Sequence, residues 1–567
     1  MNQKIKLIPL LLFSAFATQA AKDVKVMQYL HAGPITVNKP ILTDSLNVDG
    51  KPFEAKNLVK STIPFGRALG NAAVIDADTA GLITVPTPEK GYALHLYSFY
   101  LNSDRYTKGS LEVSGAGTFE VFVNNKPVGA TSELALEPHR YEVVIKYLTA
   151  DTDTCPSTLT AKFKSEEEAK VIASLDPEKR YTPRDILEGT QFRGTSVSPD
   201  GKYVLVKYYT RMEGGKSEQY AQLRDAATGR ILLQDKGFIL TADWMPTSSK
   251  MYFTRTGMNG KELVTVDPAT MQEEILAENL PEGSFSFTPD EKTLLYTIQE
   301  EGPKDGPDML RILEPNDRLP GFRNRYLIWR YDLQTGLYEQ LTYGHNNTFI
   351  NDVSADSRYL LFSTNEQDYT SLPHSSNSMY KLDLQSMAVD TLWERAKYIN
   401  GAIFSPDGKQ LMVFGSGNAF DNIGLNIKEG QISNTYDGQL FLYDPATRKA
   451  KALTKDFNPN VTSAQWSKFD GQIYMLTEDQ DYQRVYTCNP ANGKIRRLDL
   501  PEDVIYNYSL AEAAPVMYYY GQSVSNANRL YSYNTKSKKT QLIYDLSADK
   551  LKDIQFGEVH DWNFTST

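Results

Sequence analysis

Two serines approach the pattern of a hydrolase nucleophile, and neither completes it. Gly194-Thr195-Ser196-Val197-Ser198 and Gly521-Gln522-Ser523-Val524-Ser525 both lack the second glycine of Gly-x-Ser-x-Gly, the strained strand-to-helix elbow that exposes such a serine. Both lie in stretches that read as strand or loop. After Ser523 the remaining histidine is His560, whereas the hydrolase order needs an acid and then a base beyond the serine. No catalytic residue is therefore assigned. The six histidines, His31, His95, His139, His345, His374 and His560, show no His-x-x-x-His spacing, and no Cys-x-x-Cys pair exists, so no metal is expected. Each histidine reads as a surface or satisfied core residue. No glycine-rich loop opens a helix, so no phosphate-bearing cofactor is expected either.

Binding chemistry is better represented. The adjacent carboxylates Glu300 and Glu301 suit an ammonium group through charge-assisted hydrogen bonds; the plainer alternative is a solvated acidic turn before a Gly-Pro-rich loop. Arg323 and Arg325 could hold a peptide carboxylate or carbonyl, against the plainer role of salt-bridged surface arginines.

These residues must be positioned by a repeat. A Ser-Pro-Asp-Gly type of turn occurs at Ser198, Met245, Thr288, Ser354, Ser405, Ser467 and Ala514, each before a short apolar strand such as Tyr203-Val204-Leu205-Val206. A second turn answers each of them, starting at Asp225, Asp267, Asp332, Asp383, Asp444, Asn489 and Asn534. Proline presets φ, aspartate bonds the backbone ahead of it and glycine supplies positive φ, so these are tight reversals. A spacing that starts near ~40–45 residues is the period of a four-stranded propeller blade, which cannot bury both faces alone and must stack radially. Seven blades are expected, with room for an eighth in the long third or fifth repeat.

The expected organisation is all-β: a signal peptide over 1–20, a β-sandwich over 21–165, a helical connector over 166–189, a β-propeller over 190–548, and a strand over 549–567 leading toward a further domain. Lys4 and Lys6 precede the apolar run Leu7 to Phe16 and small residues near Ala20 and Ala21, the composition of an export signal. A periplasmic or extracellular location follows, with no membrane insertion, since no later run approaches the ~18 apolar residues of a span. Cys155 and Cys488 fall in different regions and read as buried thiols. With 60 Lys and Arg against 70 Asp and Glu, the formal net charge is −10, and no basic cluster marks a nucleic-acid surface. The stretch from Phe119 to Val128, with Asn124-Asn125 at its centre, signals a hairpin. It resembles a strand pair of galactose-binding-like jelly rolls, and packing is the favoured role over sugar binding.

Gln299-Glu300-Glu301-Gly302-Pro303, Arg323 to Trp329, Gly424 to Gly430 and Gly557 to Phe564 together resemble the propeller half of exported bacterial serine peptidases of the prolyl oligopeptidase family, in its dipeptidyl peptidase IV-like branch. The resemblance covers roughly residues 180 to 567. It implies a propeller followed by an α/β-hydrolase domain that this sequence does not contain, and a glutamate pair, here Glu300 and Glu301, that holds the free amino terminus of a peptide substrate. The expected role is gating and positioning of peptides without catalysis, with a homodimer left open. A TolB-like periplasmic propeller that binds a partner protein and has no enzymatic activity is the alternative.

Overall fold

The computed structural model describes residues 21–565 apart from 154–156, 170, 179–180, 307–310, 525 and 555–558; the signal-peptide region and Cys155 lie outside the described residues. The chain divides into two compact units, one running to Ile186 with a short return from Lys552, the other beginning at Leu187.

The first unit holds two antiparallel sheets. One is built on Ser157–Ala169 and Thr107–Gly115, the other on Tyr92–Ser103 and Arg140–Ala150. Their facing side chains, among them Tyr97, Phe99, Leu111, Ile145, Leu159 and Phe163, share one buried core. The hairpin forms as its sequence suggests: Val123 pairs with Lys126 across Asn124 and Asn125, both at positive φ, the condition of a type I′ turn. The sandwich does not stop at 165. Strand continues to Ala169 and again over Val171–Ser174, so the helical part of the expected connector shrinks to Pro183–Leu187.

The second unit contains five four-stranded antiparallel sheets and one of eight strands. The eight-stranded sheet is two blades joined by a single parallel bridge between Gln483 and Val504, which gives seven blades in all. Their innermost strands are Gly189–Val197, Asp243–Trp244, Ser284–Phe287, Thr348–Val353, Ile399–Phe404, Asn460–Trp466 and Val504–Leu510. Each blade is four consecutive strands, so the ring closes without strand exchange. Instead, Val197 donates its backbone N–H to the Ser509 hydroxyl at 3.0 Å, and the Tyr518 hydroxyl donates to the Ala226 carbonyl at 2.8 Å. Phe192, Tyr208, Tyr518 and Leu530 bury the seam between blades 1 and 7.

The turns work as their composition dictates. In blade 5 the Ser405 hydroxyl donates to Asp407 at 2.7 Å and accepts the Gln410 N–H at 3.0 Å; Ser198, Thr288 and Ser354 repeat the arrangement. The expected strand over 549–567 is absent among the described residues. Ala548–Leu551 is a helical turn and 559–565 carry no strand; Trp562 and Phe564 are exposed, with their rings in contact with each other.

Candidate functional site

The second turn of each blade closes on the same face as the first, the first turns standing around one mouth of the central channel and the second turns outside them. There a cavity of about 590 Å³ opens between blades 2 and 7. Three charged side chains define it. Asp352 is the penultimate residue of the inner strand of blade 4, Lys468 sits in the first turn of blade 6, and Glu512 lies in the corresponding turn of blade 7.

Asp352 owes its placement to a bulge. The pairing of Thr348–Val353 with the next strand shifts register between Ile350 and Asp352, and an extra residue in one strand re-aims the side chains around it. Asn351 then bonds to the Ser363 hydroxyl at 2.9 Å and accepts the Ala402 N–H at 3.2 Å, while the Asp352 carboxylate accepts the Phe404 N–H at 2.7 Å. Burial pushes the Asp352 carboxyl above its ordinary value; the Phe404 and Val353 N–H groups and Lys468 act against that, and Glu512 adds to it. A half-buried carboxylate of raised proton affinity is suited to a cationic or hydrogen-bond-donating ligand.

Lys468 and Glu512 form an ion pair at 2.7 Å across the junction of blades 6 and 7. Both are substantially exposed, so the pair contributes little to stability and can exchange partners with a ligand. Glu512 is held in place from behind, because its own N–H and that of Ala513 both donate to the Pro199 carbonyl of blade 1. Facing charges of both signs beside Trp466, Phe285 and Phe404 offer an acceptor for an ammonium, a donor for a carbonyl and apolar contact between them.

The residues singled out from sequence lie elsewhere. Glu300 ends the second strand of blade 3 opposite Arg325, and Glu301, Arg323 and Arg325 belong to or flank the insertion 301–324 on the opposite face of the ring. Glu301 is exposed and paired with Lys304 at 2.6 Å. The Arg323 guanidinium grips Asp317 at 2.7 and 2.8 Å and Asp305 at 2.9 Å, which holds the Asp317 carboxyl down to about 2. Arg325 donates to the carbonyls of Phe322 at 2.8 Å and Asn324 at 2.9 Å and also to that of His345. Both arginines are thus engaged in shaping the insertion. A hollow of about 670 Å³ lies within it.

Both candidate serines sit in strands. Ser196 is within Gly189–Val197 and donates to Asp243 at 3.5 Å. Ser523 ends Val516–Ser523 and donates to the Glu502 carboxylate at 2.8 Å. Among the described residues, neither has an imidazole partner. Two histidines that spacing left apart do meet in the sandwich, His31 Nε2 lying 3.0 Å from His95 Nδ1.

Sequence reasoning missed Asp352, Lys468 and Glu512. The one available signal was Lys468, which follows Ser467 where Ser198, Thr288 and Ser405 are followed by proline.

The family model that matches is described as SMP-30/Gluconolactonase/LRE-like region and spans residues 241–531. No curated protein matches the chain. Among solved structures, an acylaminoacyl peptidase in complex with Z-Gly-Gly-Phe-chloromethyl ketone superposes with a TM-score of 0.50 at 14% identity, over 68% of this chain and 58% of that one. A prolyl endopeptidase follows at 0.42 and 16%, over 63% and 50%, and TolB from Acinetobacter baumannii at 0.30 and 17%, over 60% and 79%. The chain therefore spans less than two thirds of either peptidase. At such identities the likeness is one of fold.

Proposed function

This chain belongs to the SMP-30/gluconolactonase/LRE-like family, and from that footing we propose that its propeller is the non-catalytic, substrate-gating part of an exported prolyl-oligopeptidase-type peptidase system, of the dipeptidyl peptidase IV-like kind. Its task is to admit and orient unstructured peptides, outside the cytoplasm. The observation that carries this reading is the charged mouth of the seven-bladed ring, where Asp352, Lys468 and Glu512 stand around a cavity of about 590 Å³. An extended peptide fits such an opening and a folded domain does not. The positioning of Ser196 and Ser523 inside strands supports a binding role over a chemical one.

In this reading Glu512 exchanges Lys468 for the peptide's ammonium group. Lys468 turns to a backbone carbonyl, and the aromatic wall takes the proline ring. Charge-assisted hydrogen bonds of this sort are worth ~1.5–3 kcal/mol each.

The test is fluorescence anisotropy with a labelled, proline-containing peptide bearing a free amino terminus. Saturable binding is expected, weakened about tenfold or more by Glu512→Lys, with the peptide intact afterwards. Turnover of an aminoacyl-prolyl reporter that a serine-directed inhibitor blocks and Ser523→Ala abolishes would overturn the reading. Binding to a folded partner protein, with none to peptides, would instead favour the TolB-like role.

A further inference from the structure

Away from the channel, on the same face, a cleft of about 630 Å³ separates the outer parts of blades 6 and 7. Its lining is unusual for a chain of net charge −10. Lys494, Arg496, Arg497 and Lys538 all border it, against two carboxylates, Asp470 and Asp499. One of those carboxylates is already engaged: Asp470 accepts the Tyr474 hydroxyl at 2.8 Å and the Gln472 N–H at 3.1 Å. None of the four cationic side chains has a hydrogen bond or ion pair among the described residues, whereas arginines elsewhere on the ring, such as Arg323, Arg358 and Arg529, are matched by aspartates. Strand alternation fixes one of them. Ile495 packs into the core between blades 5 and 6 and Leu498 into that between blades 6 and 7, so Arg496 projects to the blade 7 side, into the cleft.

The turns that flank this cleft carry a second, independent signal. In five blades the turn after the third strand begins with aspartate, Asp225, Asp267, Asp332, Asp383 and Asp444; in blades 6 and 7 it begins with asparagine, Asn489 and Asn534. The turn itself needs only a side-chain oxygen. Asp225 accepts the Thr228 N–H at 2.8 Å and Asp444 the Ala446 N–H at 2.8 Å. Asn489 accepts the Ala491 N–H at 3.0 Å and Asn534 the Ser537 N–H at 2.8 Å. Asparagine therefore keeps the turn and removes the negative charge, at the two blades whose facing surfaces hold the unpaired cations. With the Asn489 and Asn492 carbonyl oxygens taken up by the backbone, the amide N–H groups at this border are left as donors.

We propose that the cleft between blades 6 and 7 binds a small polyanion, a ligand carrying two or more phosphate or carboxylate groups. Arg496 supplies the planar fork that such groups favour, and Lys494 and Lys538 add charge from either wall. The buried rings of Tyr474 and Tyr533 form part of its lining.

Isothermal titration of the full chain with inorganic pyrophosphate and with citrate tests this, glucose serving as a neutral control. Saturable binding of either anion, weakening as salt is added, is expected; which of the two binds more tightly identifies phosphate or carboxylate as the preferred group. The double variant Asn489→Asp, Asn534→Asp should fold as the parent does, since aspartate already serves the other five turns, and should bind the anion about tenfold less tightly. Arg496→Gln gives a second reading of the same loss. Failure of both anions to bind, binding of glucose equal to theirs, or unchanged affinity in both variants would overturn the proposal.

Discussion

His95 is fully buried, its ring stacked near Tyr97, with one nitrogen 3.0 Å from His31 and the other 3.1 Å from the Thr149 hydroxyl. Burial lowers its pKa to about 4, with the neighbouring His31 adding to the shift, and burial also lowers that of His31. A histidine held neutral in the fold binds protons more weakly there than in the unfolded chain. Stability is therefore undiminished above the ordinary value of 6.5 and is lost as pH falls from 6.5 toward 4. A shift of that size corresponds to roughly 3 kcal/mol. Thermal unfolding followed from pH 7 to pH 4 should show the sandwich losing stability over that window, and His95→Gln should flatten the dependence; a sandwich transition indifferent to pH would contradict this. The pairing was not legible from spacing, because strand register brings together residues 64 positions apart. The same holds for Arg323. Its sequence allows a salt-bridged role without naming the partners, because Asp305 and Asp317 sit in an irregular insertion whose path no periodicity announces.

At the level of elements, local chemistry was readable and long-range shape was not. The reversals at Ser198, Thr288, Ser354 and Ser405 are written in residues that bond to one another within five positions, so composition alone located them. Replacing Ser405 by alanine should remove the link between Asp407 and the Gln410 N–H and cost about 1 kcal/mol, read as a lower denaturation midpoint with the fold retained; an unchanged midpoint would show that the hydroxyl is dispensable. By contrast, nothing in the blade 5 insertion signals that Phe420, Asp421 and Asn422 run consecutively at φ of 50, 60 and 67°. That left-handed turn is held because Phe420 packs on Trp393 and Tyr443, a tertiary reason. The sandwich boundary and the C-terminal segment were misplaced for a related cause. Residues 166–169 continue a strand whose last residue, Ala169, pairs with Ala21 at the start of the unit, and residues 559–565 carry no strand. Glu502 shows the same dependence on context. It occupies φ = 89° because its buried carboxylate accepts both the Ser523 and Tyr531 hydroxyls, tying the segment before blade 7 to that blade's own strands.

For the whole molecule, seven blades closing through side chains rather than a shared strand make a channel whose mouth is assembled from turns. Charge at that mouth comes from departures from the repeat, Lys468 in place of proline and Glu512 pinned against Pro199. The proposed gating role requires that peptides enter here and leave uncut. Photo-crosslinking with a proline-containing peptide that carries a benzophenone, mapped by mass spectrometry, tests it most directly. Adducts on Phe404, Trp466 and neighbouring residues of the mouth, with the peptide otherwise intact, are predicted; adducts confined to the sandwich or the outer strands, or recovery of cleaved peptide, would contradict it.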